Sequence, residues 1–214
     1  MLPIISIVGP SDSGKTTLVV KLVRVLKRRG HRVGVLKHTH AAIKLDRAGT
    51  DTDRFRSSGA ALSAISDDGL LASFCDISGA APGTVFGMLA AGLDLLIVEG
   101  YKQEPLPKLL FTDHLDRVDF KGIAATYGRK AVTGGKLPHF KPPEVGRMVR
   151  WLERTFILPG RKTGAARVLV DGRDLPIKPF VAETVREVNR GLLRPLKGAR
   201  GRRIQILIDF GSEI

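Results

Sequence analysis

Ile4-Ile5-Ser6-Ile7-Val8-Gly9-Pro10-Ser11-Asp12-Ser13-Gly14-Lys15-Thr16-Thr17-Leu18 is the stretch that decides the fold. An apolar run of strand type leads into Gly9–Thr16, which matches G-x-x-x-x-G-K-S/T without exception. Apolar residues return at Leu18, Leu22, Val25 and Leu26, the spacing of an amphipathic helix, and Lys21, Arg24, Lys27, Arg28 and Arg29 fill the other positions. Strand, glycine-rich loop and helix in that order are the setting in which this motif cradles a triphosphate. Gly9 and Gly14 let the backbone wrap closely, so that N–H groups along the loop, those of Asp12 and Ser13 included, point at the β-phosphate. A helix starting near Lys15 adds the positive end of its dipole. Lys15 then supplies a point charge to the β- and γ-phosphates, the Thr16 hydroxyl ligates Mg²⁺, and Thr17 falls beside the α-phosphate. A turn that needed only glycines would leave Lys15 and Thr16 unexplained.

Such a site also needs an acidic group at the end of a neighbouring buried strand, to hold Mg²⁺ directly or through water. Leu93–Val98 is an apolar strand interrupted only by Asp94, and Glu99-Gly100 closes it. Ligands of open α/β sheets lie beyond the carboxyl ends of the strands, where Glu99 falls. Glu99 is therefore the second expected metal ligand. Asp94, inside the apolar run, reads as a structural hydrogen-bonding group.

Short apolar runs alternate with amphipathic stretches along the chain, which predicts an α/β fold with a mostly parallel sheet flanked by helices. Strands are expected at Arg32–Lys37, Ala61–Ser66, Gly69–Cys75, Lys108–Phe111 and Gly122–Thr126, with Asp67-Asp68-Gly69 turning a hairpin. Helices are expected over Val85–Ala91 and Glu144–Phe156, and Gly30 suits the end of the first helix. The segment from His38 to Asp53 is too long for an ordinary connection and reads as functional. A linker spans Leu158–Gly164, so the expected division is a nucleotide-binding domain over residues 1–158 and a small basic extension over 165–214. That extension reads as strand (Ala166–Val170), helix (Pro179–Leu193) and strand (Arg203–Asp209).

With 214 residues, 43% of them hydrophobic, the chain can bury one ordinary core. No apolar run approaches the ~18–20 residues that cross a bilayer. The N-terminus reads as a strand rather than a signal peptide. Cys75 is the single cysteine and its neighbours are apolar, so it reads as a small buried hydrophobe. These features predict a cytoplasmic protein without a membrane span. The formal net charge of +14 would attract phosphorylated molecules, acidic protein surfaces or nucleic acid. Only 6% of residues are aromatic, which disfavours a base-stacking platform. A phosphorylated ligand on a basic surface is the more economical account.

With the segments downstream of the second strand taken into account, the chain resembles the molybdopterin-guanine dinucleotide biosynthesis protein B family. Four features carry the resemblance: Gly9–Thr17 running into Leu18; Leu36-Lys37-His38-Thr39-His40; Asp46-Arg47-Ala48-Gly49-Thr50-Asp51-Thr52-Asp53-Arg54 leading to Ser58-Gly59-Ala60; and Val98-Glu99-Gly100-Tyr101-Lys102. It covers roughly residues 1–158. The resemblance implies a GTP-binding, weakly hydrolysing homodimer that uses Mg²⁺. It would assist a partner nucleotidyltransferase in attaching GMP to molybdopterin, giving the guanine dinucleotide. The chain departs from the family pattern at Ala41, where a second histidine is usual, and at Ala42-Ile43-Lys44, where an acidic residue is expected.

The residues themselves leave several roles open. His38 and His40, at the carboxyl end of the second strand, suit anion contacts, proton donation, half of a metal site or plain loop histidines. Asp46 and Asp51 suit a catalytic loop that orients water for attack on the γ-phosphate, and Asp51 equally suits a helix cap. Arg54 and Lys102 suit an anionic pterin phosphate or a solvated surface. Arg147, Arg150 and Arg154 read as a solvated helix face. No N-K-x-D-like motif sets guanine preference, so GTP over ATP rests on the resemblance. A metallochaperone-type GTPase would carry a cysteine or histidine metal motif, and a small-molecule kinase an arginine-rich lid.

Overall fold

The computed structural model describes residues 3–39, 41, 43, 46–113, 115, 120–131, 137–159, 168–170, 173–175 and 177–195. Its centre is a six-stranded sheet in the order β2-β5-β1-β6-β7-β8, with every pairing parallel. The strands are β1 (Ile4–Val8), β2 (Val33–Lys37), β5 (Leu95–Glu99), β6 (Lys108–Phe111), β7 (Ile123–Tyr127) and β8 (His139–Phe140). β1 and β6 are buried along their whole length and β5 up to Glu99, because helices cover both faces.

Burial on both faces hides the side-chain alternation of these strands from the sequence but not from the packing. Ile5, Ile7, Leu95, Ile97 and Phe111 join α1 (Lys15–Arg28) and α4 (Val145–Leu152) in one cluster. Ile4, Leu96 and Val98, one step out of phase, join Phe86 and Ala90 of α3 (Pro82–Ala90) in the other. The expected mostly parallel sheet flanked by helices is what forms. Two-residue β8 was not expected, since His139-Phe140 is too short to show a period.

Gly30 ends α1 as expected. With φ +80° it follows Arg29, and the N–H groups of Gly30 and His31 close on the carbonyls of Lys27 and Leu26 at 2.9 and 3.1 Å. The helix expected over Glu144–Phe156 is less uniform. Residues Pro142–Glu144 form a 3-10 turn, α4 follows, and Glu153–Ile157 form a π turn. The wider turn sets Glu153 facing Arg29 Nε and His31 Nε2, each 2.7 Å from Oε1.

β3 (Leu62–Ser66) and β4 (Leu71–Cys75) form a separate antiparallel hairpin, turned as expected at Asp67, whose Oδ1 accepts the N–H groups of Gly69 and Leu70 at 2.7 Å. α2 (Asp51–Ser57) packs on the face carrying Ser63 and Phe74: Ser63 Oγ donates to Thr52 O at 2.9 Å and Arg56 lies over the Phe74 ring. The opposite face carries Leu62, Leu71 and Cys75, all exposed. The expectation that Cys75 is buried is therefore corrected: its apolar neighbours belong to a two-stranded sheet with one face uncovered.

The described part of the C-terminal extension is β9 (Val168–Val170) paired antiparallel with β10 (Arg173–Leu175), then α5 (Pro179–Leu193). β10 lies against α3. Most of the expected linker and the expected strand Arg203–Asp209 lie outside the described residues. Asp94 has the structural role read for it, with Oδ2 accepting the Arg32 N–H at 2.8 Å. No helix among the described residues is long and apolar enough to cross a membrane.

Candidate functional site

The loop between β1 and α1 is held in a shape few sequences permit. Gly9 has φ +150°, and a Cβ there would lie 2.6 Å from Phe111 Cβ on the neighbouring strand. Asp12 is left-handed at φ +54°, one of two non-glycine residues with positive φ among the described residues, and Gly14 is left-handed at +86°. Ser13 Oγ donates to Pro10 O at 2.9 Å, and Lys15 Nζ donates to Pro10 O and to Ser13 Oγ. The first turn of α1 contains no acidic residue of its own.

The strand order places the acidic group beside this loop. β5 is the parallel neighbour of β1, with Ile7 opposite Glu99. Thr16 Oγ1 donates to Glu99 Oε2 at 3.0 Å, so the two residues expected to hold a metal meet directly. Lys37, opposite Glu99 on β2, brings Nζ to 3.9 Å from Oε1. Burial holds Lys15 below the usual lysine range, Glu99 and Asp12 pull it back up, and Lys102 and Lys37 push it down. Lysines 15, 37 and 102 and the carboxylates of Glu99 and Asp12 thus form one electrostatic cluster.

A hydroxyl and a carboxylate are hard oxygen donors that suit Mg²⁺, which takes one or two protein oxygens and completes its shell with water and phosphate. Among the described residues no group of three or more His, Cys, Asp or Glu side chains could hold a metal by itself. The donor set therefore fits a metal that arrives with a phosphate ligand.

The end of β5 is fixed from below and from the side. Ser6 Oγ donates to Gly100 O at 2.8 Å. Gly100, at φ +105°, leaves no room for a Cβ, which would sit 3.0 Å from His38 Cβ. His38 N–H donates to Glu99 O at 2.8 Å, and its ring lies 4.2 Å from that of Tyr101. Tyr101 also has a positive φ, at +51°, and its ring meets Phe86 of α3 edge-on. Neither Ser6 nor Tyr101 was singled out as positioning this site; a lone polar residue in an apolar strand was the available signal for Ser6.

The structure does not draw the other candidates into that cluster. Asp46 Oδ1 accepts from the hydroxyls of Thr50 and Thr52 at 3.0 and 3.1 Å, which folds the loop onto the start of α2. Its Oδ2 is buried with no hydrogen-bond partner among the described residues. Asp51 and Arg54 are exposed and face one another at 4.0 Å. The cap of α2 is Thr50, whose Oγ1 accepts the Asp53 N–H, so the cap reading of Asp51 is corrected by one residue. His40 lies outside the described residues. Of the three arginines read as a solvated face, Arg147 also packs over the Phe140 ring, 5.1 Å from its centroid.

Comparison with known proteins bears on the same stretch. Residues 4–118 match the family model described as molybdopterin guanine dinucleotide synthesis protein B. The molybdopterin-guanine dinucleotide biosynthesis adapter protein of Haemophilus influenzae is 38% identical over 115 residues, which span 51% of this chain and 62% of that protein. A putative adapter protein of the same description from Methanocaldococcus jannaschii is 26% identical, with 98% of each chain covered. Among solved structures, the crystal structure of molybdopterin-guanine biosynthesis protein B superposes with a TM-score of 0.58 at 27% identity, covering 72% of this chain and 98% of that one. The matched segment holds the phosphate loop, the Lys37-His38 segment, the Asp46–Arg54 run and Glu99–Lys102, and on that basis the chain belongs to the molybdopterin guanine dinucleotide synthesis protein B family.

Proposed function

We propose that this chain binds GTP with Mg²⁺ and serves as an adapter in molybdopterin guanine dinucleotide synthesis. The observation that carries the reading is the Thr16–Glu99 hydrogen bond at 3.0 Å, at the mouth of a loop built to cradle phosphates. In this reading the N–H groups of residues 9–17, with Asp12 and Ser13 among them, hold the β-phosphate, and Lys15 leaves the Pro10 carbonyl to bridge the β- and γ-phosphates. Thr16 and Glu99 would hold Mg²⁺, which would supply positive charge to the phosphates. Lys37 and Lys102 add positive charge at the γ-phosphate end, and Lys102 with Arg54 is available to an anionic pterin.

Slow hydrolysis in this reading follows from the family resemblance. Asp46 and Asp51 are the candidate water-orienting groups, and both would have to move toward the phosphate with their loop. The partners are molybdopterin or its guanine dinucleotide, a nucleotidyltransferase and a second copy of the chain. The uncovered apolar face of the β3–β4 hairpin supports the homodimer.

The reading is tested by calorimetric titration of GTP and of molybdopterin with Mg²⁺. Tight GTP binding that Lys15→Ala abolishes, with a separate pterin signal, is the expected result. A Lys15→Ala protein with unchanged GTP affinity would remove the site assignment. A GTP signal without a pterin signal would leave the nucleotide site and remove the adapter role.

A further inference from the structure

We infer that Asp113 reads the base of the bound nucleotide and selects guanine; the inference rests on the nucleotide site proposed above. The direction in which the nucleoside leaves the loop follows from the sheet. The metal donors Thr16 and Glu99 lie on the β5 side of β1. A metal held by Thr16 and Glu99 would keep the triphosphate end on that side, so the nucleoside would run the other way, over the carboxyl ends of β6 and β7.

That end of the sheet is built as tightly as the loop. Phe111, the last residue of β6, abuts Gly9 of the phosphate loop, so Asp113 follows only two residues on, roughly 7 Å of extended chain. Thr112 Oγ1 donates to Lys130 O at 2.7 Å and to Tyr127 O at 3.2 Å. Asp113 Oδ1 accepts the Arg129 N–H at 2.8 Å. Gly128 between them has no space for a side chain: a Cβ would lie 2.1 Å from Thr112 Oγ1 and 3.0 Å from Asp113 Oδ1. Two strand ends are thereby locked together with one carboxylate held at their rim. Its Oδ2 takes no hydrogen bond from the described residues.

The chemistry of that oxygen is selective. Ionised aspartate only accepts hydrogen bonds. The Watson–Crick edge of guanine offers two donors side by side, N1–H and the 2-amino group. Adenine offers a bare N1 acceptor in the same place, and hypoxanthine lacks the amino group. A carboxylate facing this edge pairs with both guanine donors, keeps only the N1–H of hypoxanthine and leaves adenine unmatched. Selection by a fixed hydrogen-bonding group is the strong kind of discrimination, since the wrong base leaves a polar group unpaired. It also replaces the N-K-x-D-like motif that this sequence lacks.

Competitive titration of GTP, ITP, XTP and ATP against the full chain and against Asp113→Asn tests the inference. In the variant the amide oxygen can still accept the Arg129 N–H, which turns the NH₂ group toward the base. That group opposes guanine and matches the 2-oxo group of xanthine. The native protein is expected to prefer GTP over ITP and ATP by at least about tenfold. The variant should lose that factor for GTP and gain a comparable one for XTP, with an unchanged melting temperature. A variant that gains XTP affinity cannot have lost GTP through misfolding. Native ratios among the four nucleotides retained in Asp113→Asn would overturn the inference and leave the phosphate site standing. Absence of binding by the native protein to all four would overturn the nucleotide site and this inference with it.

Discussion

Thr16 Oγ1 and Glu99 Oε2 lie 3.0 Å apart although 83 positions separate the two residues. One belongs to the first turn of the helix after β1, the other to the last position of the strand beside it. A metal taken by both would use a hydroxyl and a carboxylate that the fold has already brought into register. Glu99→Gln keeps the shape and the hydrogen bond but removes the charge. Nucleotide affinity measured with Mg²⁺ should fall by about tenfold, roughly 1.4 kcal/mol. With EDTA present it should hold or rise, because a negative charge near the phosphates is gone. Equal losses in both conditions would mean that Glu99 acts on the loop rather than on a metal.

Lys15 carries a pH signature. Burial depresses its pKa in the free protein, and a triphosphate would raise it again by pairing with the ammonium. Between those two values, binding must draw a proton from solution. Calorimetry at alkaline pH, below the ordinary lysine pKa, in buffers of different ionisation enthalpy should report proton uptake on nucleotide binding, and Lys15→Ala should abolish both the uptake and most of the affinity. Proton release in the native protein would contradict the assigned contact.

Glu153 joins three elements that the sequence gives no reason to connect. Its carboxylate accepts from Arg29 through both oxygens, at 2.7 and 2.9 Å, and meets His31 Nε2 at 2.7 Å. Glu153→Ala removes the carboxylate shared by Arg29 and the buried His31 ring and should cost about 2 kcal/mol of stability in denaturant unfolding. The Arg29 hydrogen bonds, followed by that of His31, hold the Glu153 carboxyl below its ordinary range. A lowered carboxylate pKa contributes stability above the unfolded value and loses it as pH falls through the folded one. The stability gap between native and variant should therefore narrow on acidification, and a gap that widened would remove Glu153 as the anchor.

The hairpin offers a test of self-association. Leu62 and Leu71 are 59% and 67% exposed on its uncovered face. Leu71→Asp places a charge there without touching the core or the phosphate loop. Sedimentation should show a dimer for the native chain and a monomer for the variant, with GTP affinity unchanged. A monomeric native chain would remove the homodimer from the proposal.

The sequence made the phosphate loop, its flanking strand and helix, and Glu99 legible, because each carries a local signature: glycines at fixed spacing, helical periodicity, an acid after an apolar run. It also announced the hairpin through Asp67-Asp68-Gly69. What it did not show depends on contacts between distant segments. The exposure of Cys75 follows from which strands pair, and an apolar neighbourhood reads the same in a buried strand and in a half-covered hairpin. The π turn at Glu153 answers to Arg29 and His31, more than a hundred residues earlier, and leaves no mark on local helical spacing. Asp46 could be placed in a loop but not assigned its bonds to Thr50 and Thr52, since carboxylates that brace loops and carboxylates that orient water share one composition.

The position of β1 sets the order in which this protein can be made. Both of its sheet neighbours come late: Ile4 pairs with Leu96 and Ser6 with Lys108, while among the described strands β2 pairs with β5 alone. At synthesis rates of about 5–20 residues per second, the phosphate loop leaves the ribosome several seconds before any strand exists to hold it. No fragment ending before Glu99 can close the central sheet, and all its parallel pairings carry the loop-closure cost of long-range contacts. The proposed nucleotide site is therefore complete only once β5 lies between β2 and β1 and brings Glu99 to Thr16.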